Sequence, residues 1–308
     1  MKNIKWLIAH QPEYLFLRTA KAFAKMLEQV APEYKIEILT TDQYKDKYDA
    51  DFTKDKIMGL VENNEIQMSQ TEVWELAGPT NDKNFFVFDM PWLFENHAHA
   101  RRVLEGPIGT AMNERLAKTT GIRGLAYTYS GGYRAIGSDT PFKNLSDLKG
   151  KSIHANGNPI TEEYWRSLGL NTVRRKDRTI HPVTSKLEDH MDCKDTTYIR
   201  LQHAKHWINS QHSLFLTDIL ISESFFKSLS EEEQSLFIEA ANKAARLERK
   251  WSQEDADNYE ATAKERGTDI VTLSEEDKEQ MRKEAAPIYE KWDAEFFPGL
   301  INGIKKLS

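Results

Sequence analysis

The chain is poor in cysteine, with a single residue, Cys193, in 308. An internal disulfide is therefore excluded, and a cysteine-built zinc site has no ligand set. No stretch approaches 18 consecutive apolar residues, so no segment reads as a membrane-spanning helix. Glycine (15) and proline (10) are too sparse for a collagen-like or low-complexity chain. Positive charge is in deficit: 42 Lys and Arg against 48 Asp and Glu give a net charge of −6, which lacks the basic footprint of a nucleic-acid binder. There is no Gly-x-Ser-x-Gly elbow, no phosphate-cradling glycine loop and no His-Glu-x-x-His pair. The N-terminus shows no apolar core with a small-residue cleavage site. This fits a cytoplasmic protein or a mature chain from which a signal peptide has been removed.

What is present is an alternation of strands and helices. Ile4 to Ala9 reads as a first strand, and Leu17, Ala20, Phe23, Ala24, Leu27 and Val30 recur at the spacing of one helix face. Tyr34 to Leu39 alternates as a half-buried strand, a short helix follows over Asp55 to Glu62, and Glu65 to Val73 reads as a strand. One helix is expected over Ala98 to Thr119. The longest β-like stretch is Ile122 to Ser138, interrupted by Gly131-Gly132. Asn158-Pro159 marks the start of a helix ended by Gly169. Ser230-Glu231-Glu232-Glu233 is a capping box opening a helix with no breaker before Gly267, and Ser274 to Asp277 caps what reads as the last helix.

This pattern predicts an α/β protein with a largely parallel sheet and two lobes. The long β stretch and the long helix are the natural bridges between them, so each lobe is discontinuous in sequence. The expected division is 1–131 plus 216–255 for lobe I and 132–215 plus 256–308 for lobe II.

The order of motifs resembles the DctP-type substrate-binding proteins of tripartite ATP-independent periplasmic (TRAP) transporters. The resemblance runs through Phe88-Asp89-Met90-Pro91-Trp92-Leu93-Phe94, Arg102-Val103-Leu104-Glu105-Gly106, Gly121-Ile122, Gly132-Tyr133-Arg134 and Leu145-Ser146-Asp147-Leu148-Lys149-Gly150-Lys151-Ser152-Ile153. It implies a two-lobed, periplasmic-binding-protein-like (type II) fold with crossover strands and a long interdomain helix. It also implies capture of a small organic acid in the cleft and delivery to TRAP permease subunits in the membrane. A periplasmic monomer is implied, without a cofactor, a structural metal, membrane insertion or nucleic acid. The implied activity is binding and not catalysis.

Candidate ligand residues follow. Arg134, just after the double glycine, matches the family's Gly-x-Arg arginine, and guanidinium suits a carboxylate through two parallel bonds. His154 stands where the family commonly carries a second arginine, so carboxylate binding there is expected to be weaker or pH-dependent. Glu72, with Gln70 beside it, and His10 align with ligand-facing positions. Asn156 lies in the turn before the Pro159 helix, whose N-terminus suits an anion. Asp192 matches a family aspartate, Cys193 replaces a glycine, and Thr196 replaces a ligand-facing asparagine. The changes at His154 and Thr196 leave open a divergent member binding a non-carboxylate or metal-chelated solute. An enzyme on this scaffold, with His154 or Cys193 as the reacting group, and a sensory binder are the further alternatives. Six histidines fall between 154 and 212, and His203 and His206 are expected to share one helix face. With His190 and Asp192 they form a candidate transition-metal set. His212 reads as structural.

Overall fold

The computed structural model describes residues 2–8, 10, 13–48, 56–138, 140–174, 192–197 and 204–308. The chain opens with β1 (Lys2–Ile8), α1 (Glu13–Val30), β2 (Tyr34–Thr40), α2 (Thr41–Tyr48), α3 (Ile57–Glu62), β3 (Met68–Glu72) and the single turn α4 (Ala77–Thr80). Two helices follow, α5 (His97–Leu104) and α6 (Pro107–Thr119), then β4 (Ile122–Ser138), β5 (Ser152–Ala155), α7 (Pro159–Ser167), β6 (Asn171–Arg174) and β7 (Cys193–Thr197). The last third holds β8 (His206–Ile208), β9 (Leu214–Ser222), α8 (Glu223–Ser228), α9 (Glu231–Glu265), β10 (Asp269–Val271), α10 (Glu275–Asp293) and α11 (Leu300–Lys305).

The strands join in the order β2-β1-β3-β9-β4-β7-β5-β6, with β8 pairing both β4 and β10. Strand β4 belongs to both halves of this arrangement. Its first part lies antiparallel to β9, from Ile122 opposite Ser222 to Tyr133 opposite Leu214. Its last part lies between β7, from Arg134 opposite Thr197 to Ser138 opposite Cys193, and β8. The register shifts between Tyr129 and Tyr133, where Gly131 and Gly132 both take positive φ, at 102° and 75°. Only glycine adopts that backbone without strain. A Cβ on Gly131 would also meet Thr197 Oγ1 at 2.6 Å.

Helix α9, with 35 residues, is about 52 Å long and backs this crossing. Its N-terminal half buries Phe237, Ala240, Ala241, Ala244 and Ala245 against Trp6, Phe16 and Phe23, while Ala263 packs with Ala135 and Trp207. At the crossing itself, the Gly131 N–H donates to Ser252 Oγ (3.2 Å) and Arg249 Nη1 to the Tyr127 carbonyl (2.6 Å). The expected capping box is present, with Ser230 accepting from the Glu233 N–H. The two-lobed α/β arrangement, the long strand and the long helix thus follow the sequence pattern.

Three local expectations are corrected. The single helix over Ala98 to Thr119 is two helices, because Gly106 caps and Pro107 starts a new one and a proline inside a helix forfeits a hydrogen bond and clashes. His206 opens a strand and not a helix; His181, His190 and His203, and with them the expected His203–His206 pairing, lie outside the described residues. The helix capped by Ser274 is followed by α11. Residues beyond α10 return to the first part of the chain: His99 Nε2 bonds the Ile304 carbonyl (2.8 Å) and the Phe297 N–H donates to Asn84 (2.7 Å).

Gly131→Ala is expected to cost on the order of 2 kcal/mol, from the left-handed backbone and the contact with Thr197. Urea denaturation of the two proteins side by side measures it; an unchanged midpoint would show that the crossing tolerates an ordinary residue.

Candidate functional site

The two halves of the sheet meet around Arg134. Its backbone N–H donates to the Ser213 carbonyl (2.9 Å), and its guanidinium lies over the Phe215 ring, 4.6 Å from the centroid. The side chain is only 8% exposed. Nη2 is 3.6 Å from Glu72 Oε2, at the end of β3, and Nη1 is 3.9 Å from Asp195 Oδ1, on β7. Neither is a hydrogen-bond distance, and the guanidinium makes no hydrogen bond to a described residue. Arg134 and Asp195 share a sheet face because their register positions, Arg134–Thr197 and Ile136–Asp195, are two apart.

Each acid is held by its own neighbours. The Trp74 indole donates to Glu72 Oε2 (2.6 Å). Asp195 Oδ2 accepts from the Trp165 indole (3.1 Å), and His212 Nε2 stands 3.4 Å from Oδ1. Burial alone would raise the Asp195 carboxyl; His212, Arg134 and Trp165 outweigh it and hold it below the usual carboxylate range. Asp89 shows the opposite balance. Burial pushes its carboxyl up to about 8, with Glu72 and Asp195 adding to the rise and Arg134 opposing it.

Beside the β3 end of this cluster, His10 stacks on Phe16 (5.2 Å). Its Nε2 lies 3.0 Å from Thr71 Oγ1 and 3.1 Å from Glu75 Oε2, and its Nδ1 is 3.8 Å from Glu72 Oε1. One ligand atom from each of His10, Glu72 and Glu75 lies within 4.8 Å of the others, room enough for a metal ion. The guanidinium of Arg134 beside the same Glu72 repels a bare cation there unless an anion covers that guanidinium.

The sequence candidates are thus brought together unequally. Arg134, Glu72 and His10 converge. Gln70 lies one step back on the same face of β3, buried, with its amide donating to Thr217 Oγ1 (2.8 Å). Asn156 accepts from the Asn158 N–H (3.0 Å), and Asn158 caps α7 by accepting from Ile160 (3.0 Å). Their turn faces the cluster's edge: a Cβ on Gly157 would lie 3.8 Å from the Trp74 ring. His154 pairs with Lys194, which puts it on the sheet face opposite Asp195. Thr196, opposite Ala135, is on that other face too. Asp192 lies beyond the far end of the ladder from Arg134, where it accepts the Ser152 N–H (2.8 Å) and hydroxyl (2.9 Å) and pins β5 to β7. Cys193 is buried and its thiol is pushed up to about 11 by that burial. A thiol so protonated at neutral pH is a poor nucleophile.

Sequence reasoning passed over Asp89 and Asp195 as members of the site and took His212 as structural. A carboxylate inside the apolar run Phe85 to Phe94 was the available signal for Asp89. Nothing local marks Asp195.

Comparison with known proteins places the chain. The family model for bacterial extracellular solute-binding protein, family 7 (DctP) matches residues 9–174 and 201–295. The chain belongs to this family. It is 27% identical over 193 residues to the 2,3-diketo-L-gulonate-binding periplasmic protein YiaO of Escherichia coli, covering 60% of this chain and 58% of that protein; the chain thus spans less than two thirds of that relative's length. Among solved structures it resembles the sugar acid binding protein DctPAm of Advenella mimigardefordensis in complex with galactonate, with a TM-score of 0.85 and 21% identity over 100% of this chain and 99% of the other. A TRAP periplasmic solute binding protein of Shewanella oneidensis with bound succinate gives 0.83 and 19%, over 99% of each chain. These likenesses establish the two-lobed fold.

Asp89 makes stability depend on pH. With a folded value of about 8 and an unfolded one near 3.9, the folded state keeps a proton that the unfolded chain releases. Its contribution is therefore complete below about pH 4 and is lost as pH rises to about 8. Asp89→Asn is expected to raise Tm by about 5 °C or more at pH 8 and to leave it nearly unchanged at pH 4. Thermal melts across that range measure the difference, and equal effects at both ends would refute the assignment.

Proposed function

We propose that the chain is the extracytoplasmic solute-binding subunit of a TRAP transporter, capturing a small organic acid anion in an interlobe cleft and delivering it to the membrane permease. The observation that carries this reading is the buried Arg134 at the β4 crossing, with a guanidinium that forms no hydrogen bond to a described residue. Family membership supports the transport role, and relatives described as binding 2,3-diketo-L-gulonate, galactonate and succinate support an organic acid. No helix among the described residues is long and apolar enough to cross a membrane, in keeping with a subunit that acts in the periplasm beside its permease. The reading is of a binding protein, acting as a monomer, with no enzymatic step.

The lobes are 1–131 plus 216–255 and 132–215 plus 256–308, rocking about the β4 crossing and α9. A solute that touches both lobes stabilises the closed state over the open one and shifts the population toward it. Arg134 anchors the carboxylate. Glu72, His10 and Gln70 shape the wall from lobe I and the Asn156 turn lies on the lobe II side, whereas His154 and Thr196 are on the other sheet face and Asp192 is held by Ser152.

Titration calorimetry with galactonate, glucuronate, succinate and related acids tests this. At least one acid is expected to bind, and solution X-ray scattering is expected to show compaction on its addition. Arg134→Ala should weaken that acid by about 100-fold or more, and Arg134→Lys by about tenfold, because an ammonium cannot form the paired bonds. Preferential binding of neutral polyols, with no acid binding at all, would favour the non-carboxylate reading.

A further inference from the structure

The charge balance around Arg134 narrows the class of solute. Three carboxyl groups converge on this one guanidinium: Glu72 at 3.6 Å, Asp195 at 3.9 Å, and Asp89, within electrostatic reach of all three. All four residues are buried. Asp89 keeps its proton at pH 7, so one of the acids is already neutral. Among the described residues, two carboxylates still oppose a single permanent positive charge, with His10 and His212, which carry charge only when protonated, packed against them. Glu75 adds a further carboxylate behind His10.

A dicarboxylate placed here would set four ionised carboxyls around one guanidinium in a buried, aromatic-walled site. Charges out of water need compensation, and the described residues in the cluster supply no second permanent cation. A cationic group on the solute itself would supply it. The walls suit such a group. Glu72 engages the Trp74 indole through Oε2 alone, while its Oε1 stands 3.8 Å from His10 Nδ1, which leaves it able to accept from an ammonium. Phe215 covers one face of the Arg134 guanidinium, which leaves its N–H edge to take a carboxylate.

We propose that the solute carries an ammonium group as well as a carboxylate, as an amino-acid-like zwitterion with its carboxylate on Arg134 and its ammonium against Glu72. This rests on the organic-acid reading above and specifies it. A zwitterion adds no net charge to the cluster, whereas each plain carboxylate adds one negative charge or more.

Matched probes separate the possibilities in calorimetry at pH 7: L-alanine against L-lactate; β-alanine against β-hydroxypropionate and malonate; γ-aminobutyrate against γ-hydroxybutyrate, succinate and n-butylamine. In at least one set the amino acid is expected to bind about tenfold or more tightly than its partners, and Glu72→Gln is expected to cut that ratio to about threefold or less. Hydroxy acids or dicarboxylates that bind as well as their amino partners overturn this inference and leave the organic-acid reading standing. n-Butylamine binding as tightly as γ-aminobutyrate overturns both, since it lacks the carboxylate. Failure of every zwitterion at about 10 mM overturns the inference too. Native mass spectrometry of the protein as purified keeps the question open to refutation if Glu72→Gln does not fold: a co-purified solute without an amine refutes it.

Discussion

Strand β4 serves two sheets, and that dual service organises the molecule. A strand can change partners only where its backbone turns out of one ladder and into another. Here Gly131 and Gly132 provide the turn, with a left-handed backbone and, at Gly131, no space for a side chain beside Thr197. Helix α9 fixes the turn from behind through Ser252 and Arg249. Everything on one side of the glycines is tied to β9, and everything on the other side to β7 and β8.

Arg134 follows directly from that geometry. It is the first β4 residue in register with β7, so its side chain lies between an acid of β3 and an acid of β7. Their burial makes these charges interact strongly, because little water screens them. It also makes an imbalance costly, as the proton retained on Asp89 shows. A guanidinium that lies between both halves and forms no hydrogen bond to a described residue is well placed to take a solute's carboxylate under the proposed function.

Much of the architecture was legible in the sequence because its signals are local. The Ile122 to Ser138 run, the Ser230 capping box and the Asn158-Pro159 start each encode their own element. The break between α5 and α6 was also written locally, in Gly106-Pro107, but the apolar pattern on either side read as continuous. Arg134, Glu72 and His10 were legible as candidates because each sits at a strand end or beside the glycine turn. Asp195 was not, since it looks like any polar residue in a short strand until the β4–β7 register brings it to Arg134. His154 and Thr196 read as ligand-facing positions, and the alternation of side chains across the ladder turns them to the face opposite Asp195.

The sequence by itself determined the class of fold, the two bridging elements and the presence of a single arginine at the crossing, because capping, periodicity and glycine placement act over a few residues. The tertiary structure alone decided which acids surround that arginine and which face of the sheet each candidate occupies. Those relations join residues some 60 positions apart, from Glu72 to Arg134 and from Arg134 to Asp195. A one-residue change in strand register would reverse them without altering any local signal.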